Sequence, residues 1–299
     1  MINPDDSITD NTIVEVESEP HTDNRAYDYK VEVCEMHDPE GRPTGLYGTR
    51  RMDNNRFFST CSNQYQVLQN SDLLDAAESA FQERGLGKWT RSISLEDGGA
   101  RVYASYDFRE TGMTEVKKGD IVGMRLTVTN SFDCTMRATI DVGLLRLVCT
   151  NGMTSTFNGL AMSQKHTTSL NPKFIASSMD EVFSGYQQTV SELRVMSEIG
   201  ISQTQGTNIL ARLAVADVFS RRTADKINTI WERPTYGADA DRTLYNLYNA
   251  ATQHLTHEVG AVKAELAYET SKDLYRKLRK ATLQQDYLEH LSTPVLVNN

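Results

Sequence analysis

Apolar and polar residues alternate with a period of two through the middle of the chain, which predicts an antiparallel sheet with one buried face. The pattern is clearest in Val102-Tyr103-Ala104-Ser105-Tyr106 and in Met124-Arg125-Leu126-Thr127-Val128. Strands are expected at Trp89 to Leu95, Ala100 to Phe108, Asp120 to Asn130 and Thr135 to Val148. Asp97-Gly98-Gly99 is a hairpin signal between the first two, since glycine accepts the positive φ of tight turns. Lys117-Lys118-Gly119-Asp120 and Ser131-Phe132-Asp133 turn the chain into the other two. An earlier strand is expected over 29–34, with turn residues Gly41, Pro43 and Gly45 after it. A helix is expected from Asp72 to Glu83, with Leu73, Leu74, Ala77 and Phe81 on one face. Asn70-Ser71-Asp72 would cap it and Gly85-Leu86-Gly87 would end it.

After Pro172 the period lengthens to that of helices. Phe174 to Ile199, Thr207 to Ser220 and a long run from about Asp241 to Arg279 are expected to be helical, and Thr282 to Leu291 extends the last after a break. Arg233-Pro234 and Gly237 mark a loop. The expected fold class is α+β: an antiparallel sheet with helices over 25–175, followed by an all-α C-terminal part over 176–299.

Charge adds a third segment. The net charge is −9, yet residues 1–24 hold seven acids and no Lys or Arg, so the rest of the chain is close to neutral. That leader, 1–24, is expected to be disordered, either as a solvated tail or as an anionic arm over a basic surface. The first ten residues have no basic start and no apolar stretch, and no run approaches the roughly 20 residues that span a bilayer. The expectation is a cytoplasmic protein that makes no membrane contact.

Catalytic motifs are sparse. Neither GxxxxGK[ST], GxGxxG after a strand, nor GxSxG occurs, which argues against nucleotide-dependent and common hydrolase chemistry. His254 and His257 stand at i and i+3 on the long helix beside Glu258, a spacing that could share a metal but more simply suits a helix contact. Asp239-Ala240-Asp241 and the set Asp107, Glu115 and Lys117 could gather a cation for phosphodiester chemistry. Helix capping and turn chemistry explain both more simply. The cysteines at 34, 61, 134 and 149 have no zinc-like spacing and are expected to be buried free thiols. The reading is therefore non-enzymatic, with no cofactor and no metal.

Basic residues are more suggestive. Each expected strand carries an arginine (Arg91, Arg101, Arg125, Arg137 or Arg146), a pattern that suits phosphate tracking or cross-strand ion pairs. Lys272, Arg276, Lys277, Arg279 and Lys280 put five bases in nine residues, on a face that suits either a helix C-terminus or a polyanion.

Several stretches resemble the phage/plasmid-like family called domain of unknown function 932. They are Asn63 to Asn70, Gly98 to Tyr103, Leu126 to Asp133, Arg146-Leu-Val-Cys-Thr-Asn151 with Lys165-His166-Thr167, and Leu244 to Ala250 ahead of His254. The resemblance covers about 57–260, and the family carries no activity with it. The order helix, Gly-Leu-Gly-Lys-Trp at 85–89, antiparallel meander and helices is also similar to single-strand annealing proteins, which lay single-stranded DNA in a basic groove of a ring. That second likeness implies a homo-oligomer that binds single-stranded DNA in recombination or replication. The residues expected to line its groove are Lys88, Trp89, Arg91, Arg101, Arg146, Lys165 and His166, with Trp89 stacking on a base and the others neutralising phosphate. The alternative is a phage protein that acts on a host protein, or builds an assembly, without nucleic acid.

Overall fold

The period-two runs do pair into antiparallel sheets. The computed structural model describes residues 13–17, 26–108, 110–147, 151–154, 163–259 and 264–295. Strands β1 (Ile13–Glu17), β2 (Val31–His37), β3 (Pro43–Arg51) and β4 (Phe57–Cys61) precede helix α1 (Asn70–Glu83). Next come β5 (Trp89–Glu96), β6 (Arg101–Phe108), β7 (Thr114–Lys117), β8 (Asp120–Ser131) and β9 (Ala138–Arg146). Two short strands, β10 (Asn151–Thr154) and β11 (Ser163–Gln164), close the sheet region. β2, β3 and β4 form a three-stranded sheet; the larger sheet runs β1-β5-β6-β8-β9-β10, with β7 on β8 and β11 on β9. The helices α2 (Phe174–Ser177), α3 (Met179–Glu198), α4 (Gln203–Val215), α5 (Arg221–Glu232), α6 (Leu244–His254), α7 (Ala264–Leu283) and α8 (Gln285–Ser292) complete an α+β fold.

The chain divides into two compact units, and not by a single cut near residue 175. One takes the described residues of 1–106, 127–140 and 159–181, the other those of 107–126, 141–158 and 182–299. In the first, Tyr29, Val31 and Phe132 form a core with Phe58, Val67 and Leu95 against it. Phe81 of α1 meets Trp89 and Tyr106 edge-on, with ring centroids 5.9 and 5.0 Å apart.

The start of α1 differs from the expected cap. Asn70 and Ser71 lie inside the helix and are buried, and Gln69 stands at the cap position without capping. Its amide instead pairs with the Val31 backbone, accepting from the N–H at 3.1 Å and donating to the carbonyl at 2.8 Å. Asn70 is spent on the core: its side-chain oxygen accepts from Asn130 Nδ2 at 2.9 Å, and the same Nδ2 reaches the Leu68 carbonyl at 2.8 Å. Asn130→Ala would strip both acceptors of their donor inside the protein. The expected cost is about 1–3 kcal/mol, read as a lower urea midpoint; an unchanged midpoint would refute the role.

In the acidic leader, Ile13–Glu17 is an exception to the expected disorder. These five residues are β1, antiparallel to β5 from Ile13 opposite Ser94 to Glu17 opposite Thr90. Ile-Val-Glu-Val-Glu alternates as a strand should, and a sheet edge supplies the backbone partners that a short run needs.

In the second unit the helices start on recognisable caps. Ser202 and Gln205 form a capping box on α4. The Ser220 and Thr243 side chains accept from the third residue of α5 and α6 at 3.1 and 3.2 Å. α4 lies close to α5 because Gly206 has no side chain: a Cβ there would meet the Trp231 ring at 2.4 Å. The long helix expected from Asp241 is interrupted after α6 by a π-helical turn, Leu255–Val259.

Candidate nucleic-acid interface

The structure places the seven expected groove residues in quite different settings. Lys88 and Lys165 are exposed. Trp89 is half-buried, with its ring edge-on to Phe81. Arg91 pairs with Glu78 of α1 and lies over the Tyr27 ring at 5.2 Å, with its side chain only 15% exposed. Arg101 pairs with Asp97 and Asp133. Arg125 likewise pairs with Asp107. These arginines hold the strands through ion pairs, the reading that the one-per-strand pattern left open.

Two of the seven are corrected outright. Arg146 is fully buried, with Nη2 at 2.6 Å and Nε at 2.7 Å from the Asp120 carboxylate, and Nη1 at 2.9 Å from Asp239. Burial opposes its charge, but these hydrogen bonds outweigh that and hold the guanidinium above the ordinary arginine value. No phosphate can reach it. His166 is buried too, stacked on Tyr65 at 5.1 Å, with Nδ1–H donating to the Gln66 carbonyl at 3.1 Å.

Burial holds the His166 imidazole below the ordinary histidine value, only partly offset by the Gln66 carbonyl. Its Nε2 finds no partner among the described residues. The unfolded chain therefore binds a proton that the folded chain resists. Stability from this site is fully present above about 6.5 and is lost as pH falls from there through the lower folded value. The wild type should lose more of its urea midpoint between pH 7.5 and 5.5 than His166→Gln does. Equal losses would refute the assignment.

The motif stretches themselves converge on scaffold. Tyr65 donates to the Ser131 carbonyl at 2.9 Å, Asn70 meets Asn130, Gln66 meets His166, and Arg101 meets Asp133. In the second unit Arg146 binds the carboxylates of Asp120 and Asp239. Val148 to Thr150, the rest of that motif with Cys149, lie outside the described residues, as do residues 155–162.

The residues of the catalytic alternatives also make structural contacts. Asp107 goes to Arg125, and Glu115 accepts from the Gly119 N–H at 2.6 Å. Lys117 donates to the Ala238 carbonyl and to Asn246. Asp239 of the DxD is held by Arg146, and His254 sits 3.1 Å from Glu258. Among the described residues no three His, Cys, Asp or Glu side chains gather where they could hold a metal. Contrary to the expected burial, Cys134 is exposed and Cys34 and Cys61 are half-buried. Partial burial, then the neighbouring Cys61 and Asp133, push the Cys134 thiol up to about 11, which disfavours the nucleophilic thiolate at neutral pH.

A concentrated basic surface does exist, on the basic run of α7. Arg276, Lys277, Arg279 and Lys280 line a cavity of about 330 Å³ together with Leu283, Gln284 and Tyr287 of the α7–α8 corner. The chain turns there because Gln284 is extended, at φ −134° and ψ 102°, which ends one helix and starts the next. Arg276 pairs with Asp273 at 2.6 Å and Arg279 with Glu192 at 2.8 Å. Lys277 and Lys280 have no carboxylate partner among the described residues, and Lys280 Nζ stands 4.3 Å from the Tyr287 ring centroid. Leu283 is 70% exposed at the rim. Two ammonium groups, two guanidinium groups and an aromatic ring on one concavity are groups that can receive phosphates and a base. The basic run is visible in the sequence; Tyr287 is not, since only the corner at Gln284 brings it back.

No helix among the described residues is long and apolar enough to cross a membrane. No curated protein and no solved structure matches the chain. Residues 57–283 match the family model described as a domain of unknown function, DUF932, and so include Asn63 to Asn70, the later motif stretches and α7. With more than half of its 299 residues covered, the chain belongs to the domain of unknown function 932 family.

Proposed function

We propose that this protein binds single-stranded nucleic acid without catalysis, and that the α7–α8 groove is its strand-binding surface. The observation that supports this is the clustering of Lys277 and Lys280, without a carboxylate partner among the described residues, with Arg276, Arg279 and the Tyr287 ring around one cavity. The wider reading is a phage- or plasmid-borne homo-oligomer that works in the host cytoplasm in recombination or replication. Exposed Lys88 and Lys165 are further candidate phosphate contacts, whereas Arg91, Arg101 and Arg146 are assigned to the scaffold.

The test is fluorescence anisotropy of a labelled single strand, first at low and then at moderate salt. Phosphate contacts require the logarithm of the affinity to fall linearly with the logarithm of salt, with a slope of about −0.7 per contact. Absence of binding at low salt would overturn the proposal. It would favour the second reading, docking on a host protein, for which Leu46, Met52 and Phe57 on β3, its following turn and β4 are 59, 54 and 45% exposed.

A further inference from the structure

Within the second unit, a cavity of about 440 Å³ lies where the α4–α5 corner, the π-helical turn Leu255–Val259 and the start of α7 meet. Small-molecule sites occupy roughly 300–1,000 Å³. One wall is apolar: Val218, Phe219 and Leu255 are buried, and Leu266 is half-exposed beside them. The other wall is polar, with Asp217, Arg221 and Thr270. Thr270 is 7% exposed, yet its hydroxyl has no hydrogen-bond partner among the described residues. Other helical threonines of this unit donate back one turn: Thr189 to the Gly185 carbonyl at 2.8 Å, Thr207 to that of Gln203 at 3.2 Å and Thr229 to that of Asp225 at 3.0 Å. A buried hydroxyl ordinarily finds such a partner; that of Thr270 belongs to a residue lining the cavity instead.

Charge on the polar wall is of both signs. The first turn of a helix favours acids, but α5 has none there and begins with Arg221-Arg222. Neither arginine has a carboxylate partner among the described residues. Ser220 caps the Thr223 N–H at 3.1 Å, and the first intrahelical bond runs from the Ala224 N–H to the Ser220 carbonyl at 2.9 Å. The N–H groups of Arg221 and Arg222 therefore have no partner within the helix. Asp217, at φ 55°, lines the same cavity, and its carboxylate pairs neither with Arg221 nor with another base among the described residues. An inorganic anion would answer Arg221, face the like charge of Asp217 and leave the apolar wall bare. A molecule with a carboxylate, an ammonium group and an apolar body answers each feature: the carboxylate suits Arg221, the ammonium suits Asp217, and the body covers Phe219, Leu255 and Leu266.

We propose that this cavity binds a small zwitterion with an apolar body, the chemistry of an α-amino acid that carries a large aliphatic or aromatic side chain. The site shares no residue with the α7–α8 groove, and the proposal is independent of nucleic-acid binding. Saturation-transfer NMR and calorimetry on the full chain, with L-leucine and L-phenylalanine as probes, are expected to show binding of at least one. N-acetyl-L-leucine and L-leucinamide each lack one of the two charges and should bind more weakly than L-leucine. Arg221→Gln and Asp217→Asn are each expected to weaken binding by about tenfold or more. Both side chains are exposed, so the urea midpoint should stay at the wild-type value. Thr270→Val, which removes only the hydroxyl function, should weaken binding as well. Absence of binding by either amino acid at millimolar concentration overturns the proposal. Binding that survives all three substitutions overturns the site, and N-acetyl-L-leucine binding as tightly as L-leucine overturns the zwitterion.

Discussion

Arg146→Met is expected to cost the protein about 3–5 kcal/mol, the largest loss of any single substitution considered. The Arg146 and Asp120 side chains are fully buried and that of Asp239 is 8% exposed. Removing the guanidinium leaves two carboxylates in a low-dielectric interior with their charge unanswered. Lys117 cannot substitute, because its ammonium is already engaged by Ala238 and Asn246. Against a total stability of about 5–15 kcal/mol, the loss removes a substantial part of the margin that keeps the chain folded. Arg146→Lys should fall between the two, since a point charge cannot donate to both carboxylates as the planar fork does. The informative control is the triple change Arg146→Met/Asp120→Leu/Asp239→Leu. Apolar replacement of a whole buried ion cluster is often neutral, so most of the urea midpoint should return. If Arg146→Met keeps the wild-type midpoint, the cluster does not hold this unit together.

The same residue shows where reading the chain alone reaches its limit. An arginine on a strand is visible in the sequence; its partners are not, because Asp120 is 26 residues away and Asp239 is 93. Charge counts cannot separate a phosphate contact from a long-range ion pair, and Arg91 and Arg101 were ambiguous for the same reason. The sheet was legible because period-two alternation is local, and the Asp97-Gly98-Gly99 turn and the strands beside it appear close to where they were expected. The interleaved units were not legible, since no composition shift marks Tyr106, Leu126 or Ile140. Helix α5 is not legible because its sequence is strongly polar, and tertiary burial of Ala224, Ile227 and Trp231 supplies what its composition lacks. β1 was hidden by the opposite error. Acid content dominated the reading of 1–24, although Ile-Val-Glu-Val-Glu alternates plainly within it.

Lys277→Glu/Lys280→Glu is expected to weaken single-strand binding by about tenfold or more at moderate salt and to flatten its salt dependence. Two phosphate contacts at about 0.7 each on the slope should lower the magnitude of the measured slope by about 1.4. The fold should survive, because Lys280 is exposed and Lys277 only half-buried, so circular dichroism and the urea midpoint serve as controls. Tyr287→Ala tests the other half of the groove. Loss of one base stack costs about 1–3 kcal/mol, which is roughly 5- to 150-fold in Kd, and it leaves the salt slope unchanged because no phosphate contact is lost. The two variants therefore separate by readout: charge reversal moves slope and affinity together, whereas ring removal moves affinity alone. Arg91→Gln supplies the contrast that decides between groove and scaffold. Its guanidinium is committed to Glu78 and Tyr27, so it should lower the urea midpoint while the salt slope stays at the wild-type value. If the slope instead falls with Arg91→Gln and holds with Lys277→Glu/Lys280→Glu, the strand lies on the sheet and the α7–α8 groove is not its site.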